Sequence, residues 1–96
     1  MNEGMEFKYQ PGRVYLEDEK ARCIAEILFP SVDKHTVNIT HTWVDESLRG
    51  QGIAAKLVEE VIAQLRKSGK KAILTCPYAK VYFEKHPEVQ DLVKTS

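Results

Sequence analysis

Ninety-six residues with a 43% apolar share, a 29% charged share and a formal net charge of zero fit one globular domain, residues 1–96, with no room for a second. No basic excess is available to neutralise a phosphate backbone, which excludes nucleic acid as the main partner. No apolar run approaches the roughly 18 to 20 residues that cross a membrane, and the polar, acidic start Met1-Asn2-Glu3-Gly4 is no signal peptide. Cys23 and Cys76 are the two cysteines, and they lack the spacing of a zinc site or a redox pair. Reduced thiols, a cytoplasmic location and no metal site are the expectation.

Residues 5–9 alternate and predict a first strand. Gln10-Pro11-Gly12 is a turn, and residues 13–17 form a second strand. After a turn at 18–20, residues 21–29 predict a third strand. It puts Ala21, Cys23, Ala25, Ile27 and Phe29 on one face and Arg22, Ile24, Glu26 and Leu28 on the other. Residues 30–34 break it, and the β-branched run 35–44 predicts a fourth strand. Such short connections imply an antiparallel meander.

A helix follows over about 50–67. Ile53, Ala54, Leu57, Val58, Val61, Ile62 and Leu65 make one apolar stripe, and Ser68-Gly69 ends it. Residues 71–76 form a fifth strand. Strand, helix and strand in this order are a βαβ unit, so the fourth and fifth strands run parallel with a right-handed crossover. Pro77 opens a second helix through about residue 85, and His86-Pro87 stops it. The tail is then an irregular end or a last turn on the surface. The fold class expected is α+β: a mostly antiparallel five-stranded sheet with one parallel pair and two helices.

The turn Arg49-Gly50-Gln51-Gly52-Ile53-Ala54 lies between the fourth strand and the long helix. Two glycines there let the backbone approach a ligand closely. The helix start adds unpaired N–H groups and the positive end of the dipole, which together suit a phosphate or pyrophosphate. The turn is not a Walker A loop, because Ile53-Ala54 follows Gly52 in place of Lys-Ser/Thr. Nor is it a dinucleotide fingerprint, which needs three glycines after an early strand. A glycine turn that serves only backbone geometry is the structural alternative.

Arg49-x-x-Gly52-x-Ala54, after a strand ending Trp43-Val44 and opening a long helix, resembles the acyl-CoA motif Gln/Arg-x-x-Gly-x-Gly/Ala of the GCN5-related N-acetyltransferases. The segment 41–52, with Cys76-Pro77-Tyr78-Ala79 and His86-Pro87-Glu88, resembles the small single-domain YjdJ-type branch of that superfamily. The resemblance implies a minimal fold of that family and acetyl-CoA or CoA as the cofactor. It implies that backbone N–H groups of Arg49, Gly50, Gln51, Gly52, Ile53 and Ala54 hold the pyrophosphate. Pantetheine would then pair with the backbone around Trp43 and Val44, where the parallel strands splay apart. In the family an amine attacks the thioester directly, and a tyrosine after the fifth strand commonly protonates the leaving thiolate.

At the position of that tyrosine, seven residues beyond Cys76, stands Phe83, which has no proton to give. Cys76, at the end of the fifth strand and beside a helix N-terminus, is the replacement acid or an acyl acceptor; its structural alternative is a small core residue. His41 suits general-base work. Strand parity puts it in a row with Val37, Ile39 and Trp43, so it is either a buried, hydrogen-bonded histidine or part of a sheltered site. Tyr78 and Tyr82 are packing residues or direct participants. The family's two helices between the first strands are replaced by a tight turn, and ten residues follow His86. An open cleft is therefore expected, taking an exposed or macromolecular amine, in a monomer or weak dimer. The function expected is N-acetyl transfer from acetyl-CoA to such an amine, and the alternative is an acyl-CoA sensor or carrier without efficient turnover.

Overall fold

The computed structural model describes residues 6–94. Met5, the predicted start of the first strand, and the acidic N-terminal segment lie outside that range. Seven short strands form two sheets, with two α-helices and two 3-10 turns among the described residues. The first sheet has the order β1 (Lys8–Gln10), β2 (Arg13–Glu17), β3 (Cys23–Leu28), β6 (His41–Val44), all antiparallel. The second has the order β4 (Ser31–Asp33), β5 (Thr36–Ile39), β7 (Lys71–Leu74), with β5 and β7 parallel. Helices α1 (Ile53–Ser68) and α2 (Pro77–Lys85) follow β6 and β7.

The alternation read in residues 13–17 and 21–29 sets the layers. Val14, Leu16, Ala25 and Ile27 are buried on one face of the four-stranded sheet, and α1 lays its stripe of Leu57, Val58, Val61 and Leu65 on that face. Each such side chain is worth about 1.5–3 kcal/mol when fully buried. Ala79 and Phe83 of α2 join the same core. The tail also belongs to it: Val89 and Leu92 of the turn Pro87–Leu92 are buried, and Val93 bridges in parallel to Ala72 of β7. The opposite, outer face of the four-stranded sheet carries Arg13, Tyr15, Glu17, Glu26, His41 and Trp43.

The single strand expected over 35–44 is two strands in different sheets. Ile39 O accepts from both Thr75 N–H (3.1 Å) and Cys76 N–H (3.0 Å), and the parallel ladder ends there. Thr40 N–H turns the other way, to Leu28 O at 3.0 Å, and the next four residues pair with β3. One β-branched run thus crosses from one sheet to the other, and the strands on either side of the crossing diverge. The expected break at 30–34 is also partly a strand, β4, which pairs with β5 across a tight connection.

Candidate functional site

The chain enters α1 through a built turn. Asp45 caps the 3-10 turn Glu46–Leu48, accepting from Ser47 N–H at 3.0 Å and from Ser47 Oγ at 2.6 Å. These bonds hold the Asp45 carboxyl below the usual carboxylate range, the Ser47 hydroxyl being the larger cause. Arg49 N–H donates to Glu46 O at 3.1 Å. That donor is therefore engaged, and the donors offered to a ligand begin at Gly50. Gly50 and Gly52 have φ of +84° and +73°, the left-handed region that favours glycine. Gly52 is the N-cap of α1 with no capping side chain, and the first i−4 bond of the helix is Lys56 N–H to Gly52 O at 3.2 Å. The amides of Ile53, Ala54 and Ala55 lie in the first turn ahead of it, without intrahelical partners. A Cβ built on Gly50 or Gly52 would meet no atom within 4 Å. The glycines therefore serve the backbone path and an open surface above it, and packing does not demand them. This cradle of main-chain donors fits a pyrophosphate.

The cradle continues into the edge of β6. This strand is the last of its sheet. Asp45 N–H donates to Ile24 O at 2.8 Å, one residue past the Val44–Ala25 pair. Opposed residues in an antiparallel pair alternate between bonded and non-bonded. Trp43 opposite Glu26 is thus a bonded pair, whereas Thr42 opposite Ile27 and Val44 opposite Ala25 turn their N–H and C=O away from β3. Of the two residues expected to offer main-chain partners, Val44 faces outward and Trp43 faces β3; Thr42 takes the second outward place. An extended thioester arm could add to this edge as a strand adds to a sheet.

Cys76 is buried as the N-cap residue of α2, and its thiol donates to Thr42 Oγ1 at 3.4 Å. The contact spans the divergence between β6 and the end of β7. Tyr78, on the first turn of α2, is held protonated: burial, then Glu59 and then Cys76 push its phenol up. Tyr82 is likewise raised, by burial first and then Glu59, and it stacks on His86 with ring centroids 3.9 Å apart. Phe83 is 1% exposed and belongs to the core.

His41 lies elsewhere. The crossing at Thr40 resets the alternation, so Val37 and Ile39 are buried while His41 and Trp43 stand on the outer face. The sheltered apolar row expected from strand parity does not form: the His41 side chain is 48% exposed, with Nε2 3.7 Å from Glu26 Oε2. Thr42, the partner of Cys76, alternates to the other face, so His41 and Cys76 flank β6 from opposite sides. Among the described residues no group of three or more His, Cys, Asp or Glu could hold a metal, and no helix is long and apolar enough to cross a membrane.

Sequence reasoning left out Thr42 and Glu26. Thr42 reads as packing in an unbroken strand. The signal for Glu26 was its place on the mixed face of the third strand, among Arg22, Ile24 and Leu28, yet its register against His41 depends on the crossing at Thr40.

A family profile described as GCN5-related N-acetyl-transferase matches residues 13–92. A GCN5-like protein from Staphylococcus aureus, solved by NMR, is 33% identical, with a TM-score of 0.80 covering 98% of this chain and 92% of that one. YhbS from Escherichia coli, a GNAT family N-acetyltransferase crystallised in complex with CoA, is 26% identical, with a TM-score of 0.56 over 65% of this chain and 38% of its own. Protein NATD1 of Xenopus tropicalis is 37% identical over 68 residues, which are 71% of this chain and 62% of the relative. The match thus spans about three fifths of the curated relative's length.

Proposed function

The chain belongs to the GCN5-related N-acetyltransferase family, and from that premise we propose that it transfers an acetyl group from acetyl-CoA to an exposed or macromolecular amine. The observation that carries the reading is continuity. The open edge of β6 at Thr42 and Val44 runs into the uncapped glycine cradle at the start of α1. Gly50, Gln51, Gly52, Ile53 and Ala54 supply main-chain donors to the pyrophosphate, and the Arg49 side chain adds charge. Thr42 and Val44 supply the strand-like partners for pantetheine, and one of their N–H groups faces the acyl oxygen. Acetyl-CoA supplies the activated thioester.

The two titratable residues work from opposite sides of β6. His41, on the outer face, accepts a proton from the incoming ammonium. Cys76, on the inner side, hands its thiol proton to the departing sulfur and regains one from solvent. Thr42 Oγ1, which accepts from the thiol in the resting state, can rotate its own O–H toward the resulting thiolate. The test is free-thiol release on mixing the protein with acetyl-CoA and a panel of amines, with Cys76→Ala beside the wild type. Release that depends on a primary amine and falls in the variant is the expected result.

The second reading is an acyl-CoA sensor or carrier without efficient turnover. It is favoured by the burial of Phe83, where the family places its tyrosine, and by the separation of His41 from Cys76 across the strand. Tight CoA binding by calorimetry with no thiol release for any amine would select it.

A further inference from the structure

The outer face of the four-stranded sheet carries a row that the chemistry above touches only at its end. Tyr15, Glu26 and Trp43 stand directly opposite one another on β2, β3 and β6, so their side chains share that face. Half of the row is already filled. Arg13 Cζ lies 3.8 Å from the centroid of the Tyr15 ring, and Arg13 Nε donates to Glu26 Oε1 at 2.9 Å. A cation is thus held between an aromatic ring and one oxygen of Glu26. The other half repeats the pattern without the cation. Glu26 Oε2 has His41 Nε2 at 3.7 Å, beyond hydrogen-bond length, and the cross-strand neighbour on that side is Trp43, 38% exposed.

We propose that Glu26 Oε2 and Trp43 recognise the acceptor as an alkylammonium, carried by a lysine side chain or a protein N-terminus. A carboxylate has lone pairs enough for two cationic donors, and an indole face attracts an ammonium more strongly than other aromatic rings do. A lysine amine arrives protonated at neutral pH, with an ordinary pKa of about 10.4, and must lose one proton before its nitrogen can attack. Binding the charged form beside His41 brings that proton to the imidazole. Arg13 already holds Oε1, so one oxygen is left; a second guanidinium cannot make its two-point fork there, whereas an ammonium needs only a single contact. The tight turn at Pro11-Gly12 leads straight from β1 to β2, so among the described residues no helix between these strands covers the face, and a polypeptide can lie across it. The inference rests on the acetyltransferase reading for the use of the site, but the binding can be read without it.

The experiment is an NMR titration of wild type and Glu26→Gln with three probes, each with and without CoA. The probes are Nα-acetyl-lysine methylamide, alaninamide and the neutral Nα-acetyl-norleucine methylamide. Trp43 is the single tryptophan, so its indole N–H is an unambiguous reporter, read together with the His41 ring. The lysine derivative, alaninamide or both are expected to shift the two signals, which also separates a side-chain from an N-terminal acceptor. Norleucine should leave them in place, and Glu26→Gln should weaken the cationic probes at least fivefold. Equal shifts with norleucine, no shift with either cation, or unchanged affinity in Glu26→Gln overturns the proposal. Should the variant fail to fold, the comparison of lysine with norleucine on wild type decides alone. Failure of CoA to bind in the same samples would sink the enzyme reading while leaving the amine titration readable.

Discussion

Gly52 and Gly69 offer a matched pair of perturbations at the two ends of α1. Their backbones are nearly identical, with φ/ψ of +73°/20° and +74°/19°, and a Cβ on either meets no atom within 4 Å. An alanine in this left-handed region costs roughly 1–2 kcal/mol, and neither site adds a clash. Gly52→Ala and Gly69→Ala are therefore expected to lower stability by the same amount. In a domain of this size each kcal/mol is about 4–8 °C in Tm. Function should separate them. A Cβ at Gly52 would take up open space at the proposed cradle, where it is expected to displace the pyrophosphate from at least one main-chain donor. A hydrogen bond to a charged group is worth about 1.5–3 kcal/mol, so CoA affinity should fall roughly 10- to 100-fold. Gly69 lies at the far end of a 16-residue helix, about 26 Å away, and its variant should bind CoA as wild type does. Thermal melts and calorimetric CoA titrations on the three proteins supply both numbers. If Gly52→Ala binds CoA with wild-type affinity, the cradle is not the phosphate site. If both variants lose affinity equally, the effect is one of stability and the assignment fails.

Three further outcomes follow from the same geometry. Phe83→Tyr restores the family's residue type at a core position that is 1% exposed; burying a hydroxyl there without a partner should cost about 1–3 kcal/mol in urea unfolding and bring no gain in thiol release, so a gain would show that the ring reaches the cleft. Intact-mass spectrometry after exposure to acetyl-CoA tests whether Cys76 lies at the thioester: any one-acetyl increment on wild type should vanish in Cys76→Ala, and its persistence would place the acetyl group elsewhere. The carboxyls of Asp18, Asp33 and Asp45 are all held low, chiefly by the Arg22 N–H, the His35 N–H and the Ser47 hydroxyl respectively. Folded values below an unfolded value of about 3.9 mean that this stabilisation is present above roughly pH 4 and is lost as pH falls through the folded values; the urea midpoint should fall over that acid range, and less steeply in Asp18→Asn.

Much of this architecture is legible in the sequence because local signals agree with the tertiary outcome. Residues 13–17 are a strand at those bounds, and α2 runs over the predicted 77–85. The stripe from Ile53 to Leu65 is the helix face against the sheet. Arg49-x-x-Gly52-x-Ala54 carries the family by its residues. What the sequence hid is the crossing at Thr40. No proline or glycine marks it; it is made by Ile39 O taking two donors while Thr40 N–H bonds to Leu28 O. That single event determines which side of the sheet His41 occupies, which residues of β6 face outward, and that Glu26 becomes a neighbour of His41. Parity counted along an unbroken strand could not reach any of these. The tail was obscure for another reason: Val89, Leu92 and Val93 recur at spacings of three and four, but over a single turn, too short a run to tell a buried turn from a surface one.

The central claim is that an acyl-CoA lies along the outward edge of β6 with its pyrophosphate on the turn into α1. Backbone amide shifts on titration with acetyl-CoA test it most directly. The account predicts that the largest changes fall on Thr42, Val44 and residues 50–54, with Cys76 close behind. Absence of change at millimolar acetyl-CoA would contradict it. So would changes centred on the cavity of about 220 Å³ between Pro11, Phe29, Gln64 and Lys70.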